Sequence, residues 1–105
     1  MSVSTHVLDT VTGRPAAGIA VRLFAGEGLV AEGVTDLDGR CHLVEGATAF
    51  GTHRLVFATG PWFAEQDREA FYPEVVITFG VAEPAEHHHV PLLLSPFAYS
   101  TYRGS

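Results

Sequence analysis

The chain has 105 residues, with 12 acidic and 6 basic side chains, a net charge of −6 and 47% hydrophobic residues. That length suits one domain, residues 1–105, and a chain so short buries only about 60–65% of its unfolded surface, so an oligomer that shares apolar surface is expected. All 6 basic residues are arginines. Scattered through an acidic chain, they leave no electrostatic footprint for nucleic acid or an anionic membrane, and suit the fixing of planar polar groups or carboxylates.

The single cysteine, Cys41, can form no intrachain disulfide and reads as a small buried strand residue. No signal peptide opens the sequence and no apolar run approaches membrane-spanning length, so a cytoplasmic protein is expected.

In chain order, residues 3–9 are β-branched and read as a strand, followed by a loop punctuated by Gly13, Pro15 and Gly18. Residues 19–24 and 29–35 are strands joined by a Gly-Glu-Gly turn. Asp36-Leu37-Asp38-Gly39 is a tight turn in which Gly39 can take positive φ, and it leads into a short strand over residues 40–44. Residues 46–51 form a loop and residues 53–59 a fifth strand. The one helical candidate is 62–70, with Pro61 near its start and charged residues after. Residues 75–79 make the sixth strand, and 83–86 a turn. The seventh runs from His87 to Leu94, and the eighth covers 99–102 beyond the Ser95-Pro96 turn. Eight short strands with regular turn signals argue an all-β, antiparallel sandwich.

Strand side chains alternate between faces. In the seventh strand His88, Val90, Leu92 and Leu94 belong to the core. His87, His89, Pro91 and Leu93 then point outward. Ser100 and Tyr102 share a face of the eighth strand, and His6 goes with Leu8 on the first. If these three strands are neighbours, His6, His89, Ser100 and Tyr102 gather over a partly apolar patch. The last residues keep pattern and chemistry to Ser105, which suggests a terminus built into a site. His42 and His53 carry no motif and read as surface or structural residues.

Thr5-His6-Val7-Leu8-Asp9, Gly13-Arg14-Pro15-Ala16, Thr35-Asp36-Leu37-Asp38-Gly39-Arg40, Phe71-Tyr72-Pro73-Glu74-Val75 and the terminal block together resemble the transthyretin-like 5-hydroxyisourate hydrolases. The short motifs are individually weak. The closing Tyr102-Arg103-Gly104-Ser105, a few residues after His89-Val90-Pro91-Leu92-Leu93-Leu94-Ser95-Pro96, is the specific one and sets the enzymes apart from the hormone-carrying transthyretins. His88 stands where the family often has tyrosine, and Asp36 where asparagine is frequent.

The resemblance implies two four-stranded sheets with a short helix, assembled as a dimer of dimers with sites at the dimer–dimer interface. It implies a small-molecule substrate, 5-hydroxyisourate, opened by water at a cyclic amide C–N bond in urate breakdown, with no metal and no cofactor. The family's catalytic set falls on His6, Arg40, His89 and Ser105, with Tyr102, Arg103 and Gly104, and Ser100 beside them, toward the substrate. Histidine suits this chemistry because it carries a proton either way near neutral pH. A guanidinium offers planar, two-pronged hydrogen bonding to a flat, oxygen-rich ring. Which imidazole is the general base stays open.

A metal reading and two rival functions compete, and one of the two, a structural adhesion-type sandwich, would lack the outward histidine face. The His87-His88-His89 run invites zinc, since residues 87 and 89 share a face, but no cysteine or carboxylate stands nearby at ligand spacing. A small-ligand carrier on the same fold would need neither two outward imidazoles nor this tail.

Overall fold

The computed structural model describes residues 2–46 and 49–105. Nine strands and one helix follow in order: β1 (Ser2–Asp9), β2 (Arg14–Pro15), β3 (Ala20–Ala25), β4 (Gly28–Val34), β5 (Arg40–Glu45), β6 (Gly51–Phe57), α1 (Thr59–Ala64), β7 (Val75–Val81), β8 (His88–Leu94) and β9 (Tyr99–Thr101). The expected strands are present, shifted by a residue or two at their ends. The loop expected over 46–51 includes residues 47 and 48, which lie outside the described residues.

One sheet has the order β4-β3-β6-β7 and the other β2-β1-β8-β9, with β5 also paired to β1. The second sheet fills four positions with five strands because β2 and β5 share one edge of β1. β5 pairs with Ser2 to His6, and the two-residue β2 with Leu8 and Asp9. One pair departs from the expected antiparallel pattern: β1 and β8 run parallel, Val3 opposite His88 through Asp9 opposite Leu94. A parallel pair needs a long crossover rather than a hairpin, and here most of the chain lies between the two strands.

The core lies between the sheets. Val3 and Val7 of β1, Leu23 of β3, Leu55 and Phe57 of β6 and Leu92 of β8 are fully buried. Each such side chain contributes about 1.5–3 kcal/mol through removal from water. The seventh-strand alternation holds for His88, Val90, Leu92 and Leu94, which are all buried; on the opposite face Pro91 is buried as well, with Gly104 packed against it.

The helix is earlier and shorter than expected. Residues 65–70 do not continue it, because the chain closes in a Schellman turn: Arg68 N–H donates to Phe63 O and Asp67 N–H to Ala64 O, both at 3.0 Å. Asp67 takes the left-handed position at φ 55°. Arg68 is thereby turned back onto β1, where its guanidinium donates to Asp9 Oδ2 at 2.7 Å. Burial alone would raise the Asp9 carboxyl, but the Arg68 bond and the Thr12 and Val11 N–H groups hold it below its ordinary value.

Candidate active site

The outer face of the β1 sheet is laid out by register. Ser4 stands between His42 of β5 and His89 of β8, and His6 between Arg40 and Pro91. These are two adjacent rows on one face, one bearing His42, Ser4 and His89, the next Arg40, His6 and Pro91. His6 and His89 are thus diagonal neighbours, a spacing of roughly 7–8 Å in a sheet.

Arg40 is presented by its turn. Asp36 Oδ1 accepts from the N–H groups of Asp38 and Arg40, both at 2.9 Å, and the Arg40 N–H bond is the main reason its carboxyl is held below the ordinary range. Gly39 has φ 75°, and a Cβ there would lie 2.5 Å from Val7 O. Its own carbonyl accepts from Val7 N–H at 2.8 Å. Only glycine lets this turn seat against β1 in the gap between β2 and β5.

The tail approaches from the other side. Gly104 bridges to His89, with its N–H donating to His89 O at 2.9 Å. A Cβ on Gly104 would fall 2.5 Å from His89 Cδ2 and 3.1 Å from Pro91 Cγ. The imidazole therefore lies across a residue that has no side chain, and Ser105 arrives at the pocket wall.

The pocket holds about 120 Å³ and is lined by Ser4, Thr5, Arg40, His42, His87, His89 and Ser105. Ser4 Oγ is 2.8 Å from His89 Nδ1 and 3.2 Å from His87 Nε2, and Ser2 Oγ reaches His87 Nδ1 at 2.5 Å. The rings of His87 and His89 stack, their centroids 6.0 Å apart at 15°. His89 Nε2 makes no hydrogen bond among the described residues, which leaves it for water or substrate. Burial, followed by the proximity of His87, Arg40, His6 and His42, pushes the His89 pKa below the ordinary 6.5. A neutral imidazole with a free nitrogen is a competent proton acceptor.

The structure thus brings Arg40, His89, Gly104 and Ser105 together, with His6 in the adjoining row. Three expected residues are elsewhere. Ser100 is opposite Leu93, four residues along β8 from His89, and lines a shallow hollow with Thr10 and Tyr99. Tyr102 and Arg103 line a second cavity of about 240 Å³, with Ile77 and Phe79 of β7 and with His88 and His89 of β8, so His89 borders both hollows. The Arg103 guanidinium donates to Glu86 Oε2 at 3.1 Å in an exposed pair. Alternation carried the expected face of Tyr102 past Thr101, where β9 ends. In return, Ser4, Thr5 and His42 line the pocket unforeseen. The signal for Ser4 and His42 was present, since Ser4 shares a face with His6 and His42 with Arg40. Among the described residues no three His, Cys, Asp or Glu side chains form a group able to hold a metal ion. No helix is long and apolar enough to cross a membrane.

Residues 3–104 match the model of the HIUase/Transthyretin family. A 5-hydroxyisourate hydrolase from Mesorhizobium japonicum is 46% identical over 98% of this chain and 91% of its own. The structure of the Klebsiella pneumoniae 5-hydroxyisourate hydrolase superposes with a TM-score of 0.92 at 37% identity over 100% of both chains. Sea bream transthyretin, solved with thyroxine, gives 0.85 at 30% identity over 99% of this chain and 95% of that one. The chain belongs to the HIUase/Transthyretin family. Its full-length similarity to named hydrolases places it with the enzymes of that family.

Proposed function

We propose that this protein is a 5-hydroxyisourate hydrolase, yielding 2-oxo-4-hydroxy-4-carboxy-5-ureidoimidazoline by metal-free general acid–base catalysis. The observation that carries the proposal is one small pocket in which Arg40, His89 and Ser105, from three separate parts of the chain, share a wall.

Water sits at His89 Nε2 and loses a proton to it as its oxygen adds to the ring carbonyl. The Arg40 guanidinium faces the oxyanion that forms. The Arg40 guanidinium makes no hydrogen bond or ion pair among the described residues, so its donors are available. As the C–N bond breaks, the departing nitrogen takes a proton from His89 or from His6 in the next row. Ser105 holds the substrate's polar edge. A positioned acid–base group gives about 10²–10⁴-fold and an oxyanion donor roughly 10²–10³-fold.

We place this pocket at the dimer–dimer contact of a homotetramer in the cytoplasm. Half-buried Leu8 and Leu93 flank it on the same outer face and supply apolar surface for such a contact. A carrier function on the same fold is the second reading, favoured by the similarity to a transthyretin solved with thyroxine. The two separate in one assay. Substrate made afresh from urate and urate oxidase is mixed with the protein, and its ultraviolet decay is followed. Decay well above the spontaneous rate is expected; a spontaneous rate at micromolar protein leaves only the carrier.

A further inference from the structure

His89 must accept a proton beside a guanidinium and among other imidazoles, each of which can itself carry charge. Arg40 and His42 line the same pocket, His6 is a diagonal neighbour and His87 is stacked on the ring. Among the described residues no Asp or Glu side chain lines this pocket. Charges of one sign in a half-buried site oppose each other by kilocalories.

The Ser4 hydroxyl offers a way out. It lies between His89 Nδ1 and His87 Nε2, within hydrogen-bond distance of both. It has one proton, so it donates to one ring and accepts from the other. The two tautomers are therefore linked. When His89 carries its proton on Nδ1, leaving Nε2 free as a base, Ser4 accepts from His89 and donates to His87 Nε2. His87 then donates from Nδ1 to Ser2 Oγ. Reversing the hydroxyl places the proton on His89 Nε2.

We propose that His87 is a positioning residue for the hydrolysis: through Ser4 it sets the tautomer of His89 and receives the charge when His89 takes a proton from water. This rests on His89 being the general base. The transfer balances. Water gives a proton to His89 Nε2, the Nδ1 proton of His89 passes to Ser4 Oγ, and the Ser4 proton passes to His87 Nε2. His89 ends neutral with Nε2–H, and His87 ends as imidazolium. His87 is exposed whereas His89 is half-buried, so the charge moves toward water. When the departing nitrogen takes the Nε2 proton, the Ser4 proton returns to His89 Nδ1 and His87 re-protonates Ser4. One imidazole thus serves as base and then as acid.

The test compares the full-length protein with His87→Phe, which keeps an aromatic ring and removes both nitrogens, with Ser4→Ala, and with the double variant. Each single change is expected to lower kcat about 10–100-fold, the size usual for a partner that orients a working imidazole, with KM nearly unchanged. The double variant should be no slower than the slower single one. Imidazole ¹⁵N spectra should show neutral His89 mainly as the Nδ1–H tautomer in the parent and shifted toward Nε2–H in both variants. A His87→Phe protein with parental kcat and pH profile, losses that multiply, or a His89 tautomer unmoved by either change would overturn the proposal. An inactive parent would instead remove the hydrolase assignment, and the tautomer spectra would still decide whether the relay exists.

Discussion

The two sheets bury their inner faces in one core and use their outer faces differently. On β3 and β6, the guanidinium groups of Arg22 and Arg54 lie 5.5 and 4.9 Å from the ring centre of Phe24. Those cations have an aromatic partner already. On the β1 sheet, the Arg40 guanidinium makes no hydrogen bond or ion pair among the described residues, and His89 keeps one nitrogen free. An outer face whose donors are satisfied internally is a surface; one that holds donors in reserve around a hollow is a site.

The widest separation between the faces should appear in catalysis. Arg40→Ala and His89→Ala should each lower kcat/KM by about 10²–10⁴-fold, and His6→Ala should act in the same direction, with circular dichroism unchanged. Arg22→Ala on the other face should leave the rate within about twofold of the parent. Equal losses from both faces would erase the distinction.

Next in size is the turn that carries Arg40. Gly39→Ala forces a side chain into a positive-φ position against Val7 O and should cost roughly 2–4 kcal/mol in urea unfolding. No compensating space exists there, so an unchanged midpoint would mean the turn does not seat against β1 as described.

Acid sharpens the contrast further. Because the His89 pKa lies below 6.5 in the folded chain, the unfolded chain binds that proton first. Its contribution to stability is complete above 6.5 and disappears as pH falls through the folded value. For the same reason the acid limb of kcat/KM should lie below 6.5, and a limb above it would contradict a desolvated, cation-surrounded base. Asp9 follows the same sign lower down, stabilising above its ordinary 3.8 and losing that contribution as pH drops through its depressed value.

The smallest effect is a gain. Asp67→Gly relieves a left-handed aspartate at the helix end and should stabilise the fold by about 0.5–1 kcal/mol without touching the rate. A thermal melt decides it.

Much of this was legible in the sequence because alternation is reliable inside a strand with one buried face. It sorted His88 from His89 and put His6 on the outer side. It failed where the strand stops: Tyr102 was extrapolated beyond β9, and the Arg103 side chain left for Glu86. The helix was misplaced because composition does not reveal that Arg68 is drawn back to Asp9. The parallel β1–β8 pairing and the β5 edge are long-range facts that no local pattern encodes. Without β5 beside β1, His42 and Arg40 could not be recognised as neighbours of Ser4 and His6.

The most direct measurement compares the intact chain with one ending at Thr101, both shown to be folded, for their effect on the decay of freshly made 5-hydroxyisourate. The intact protein should accelerate decay strongly, and the shortened one should leave it near the spontaneous rate, because Ser105 no longer completes the pocket and Gly104 no longer pins His89. Equal acceleration by the two would contradict a site built from β1, β5, β8 and the closing residues together.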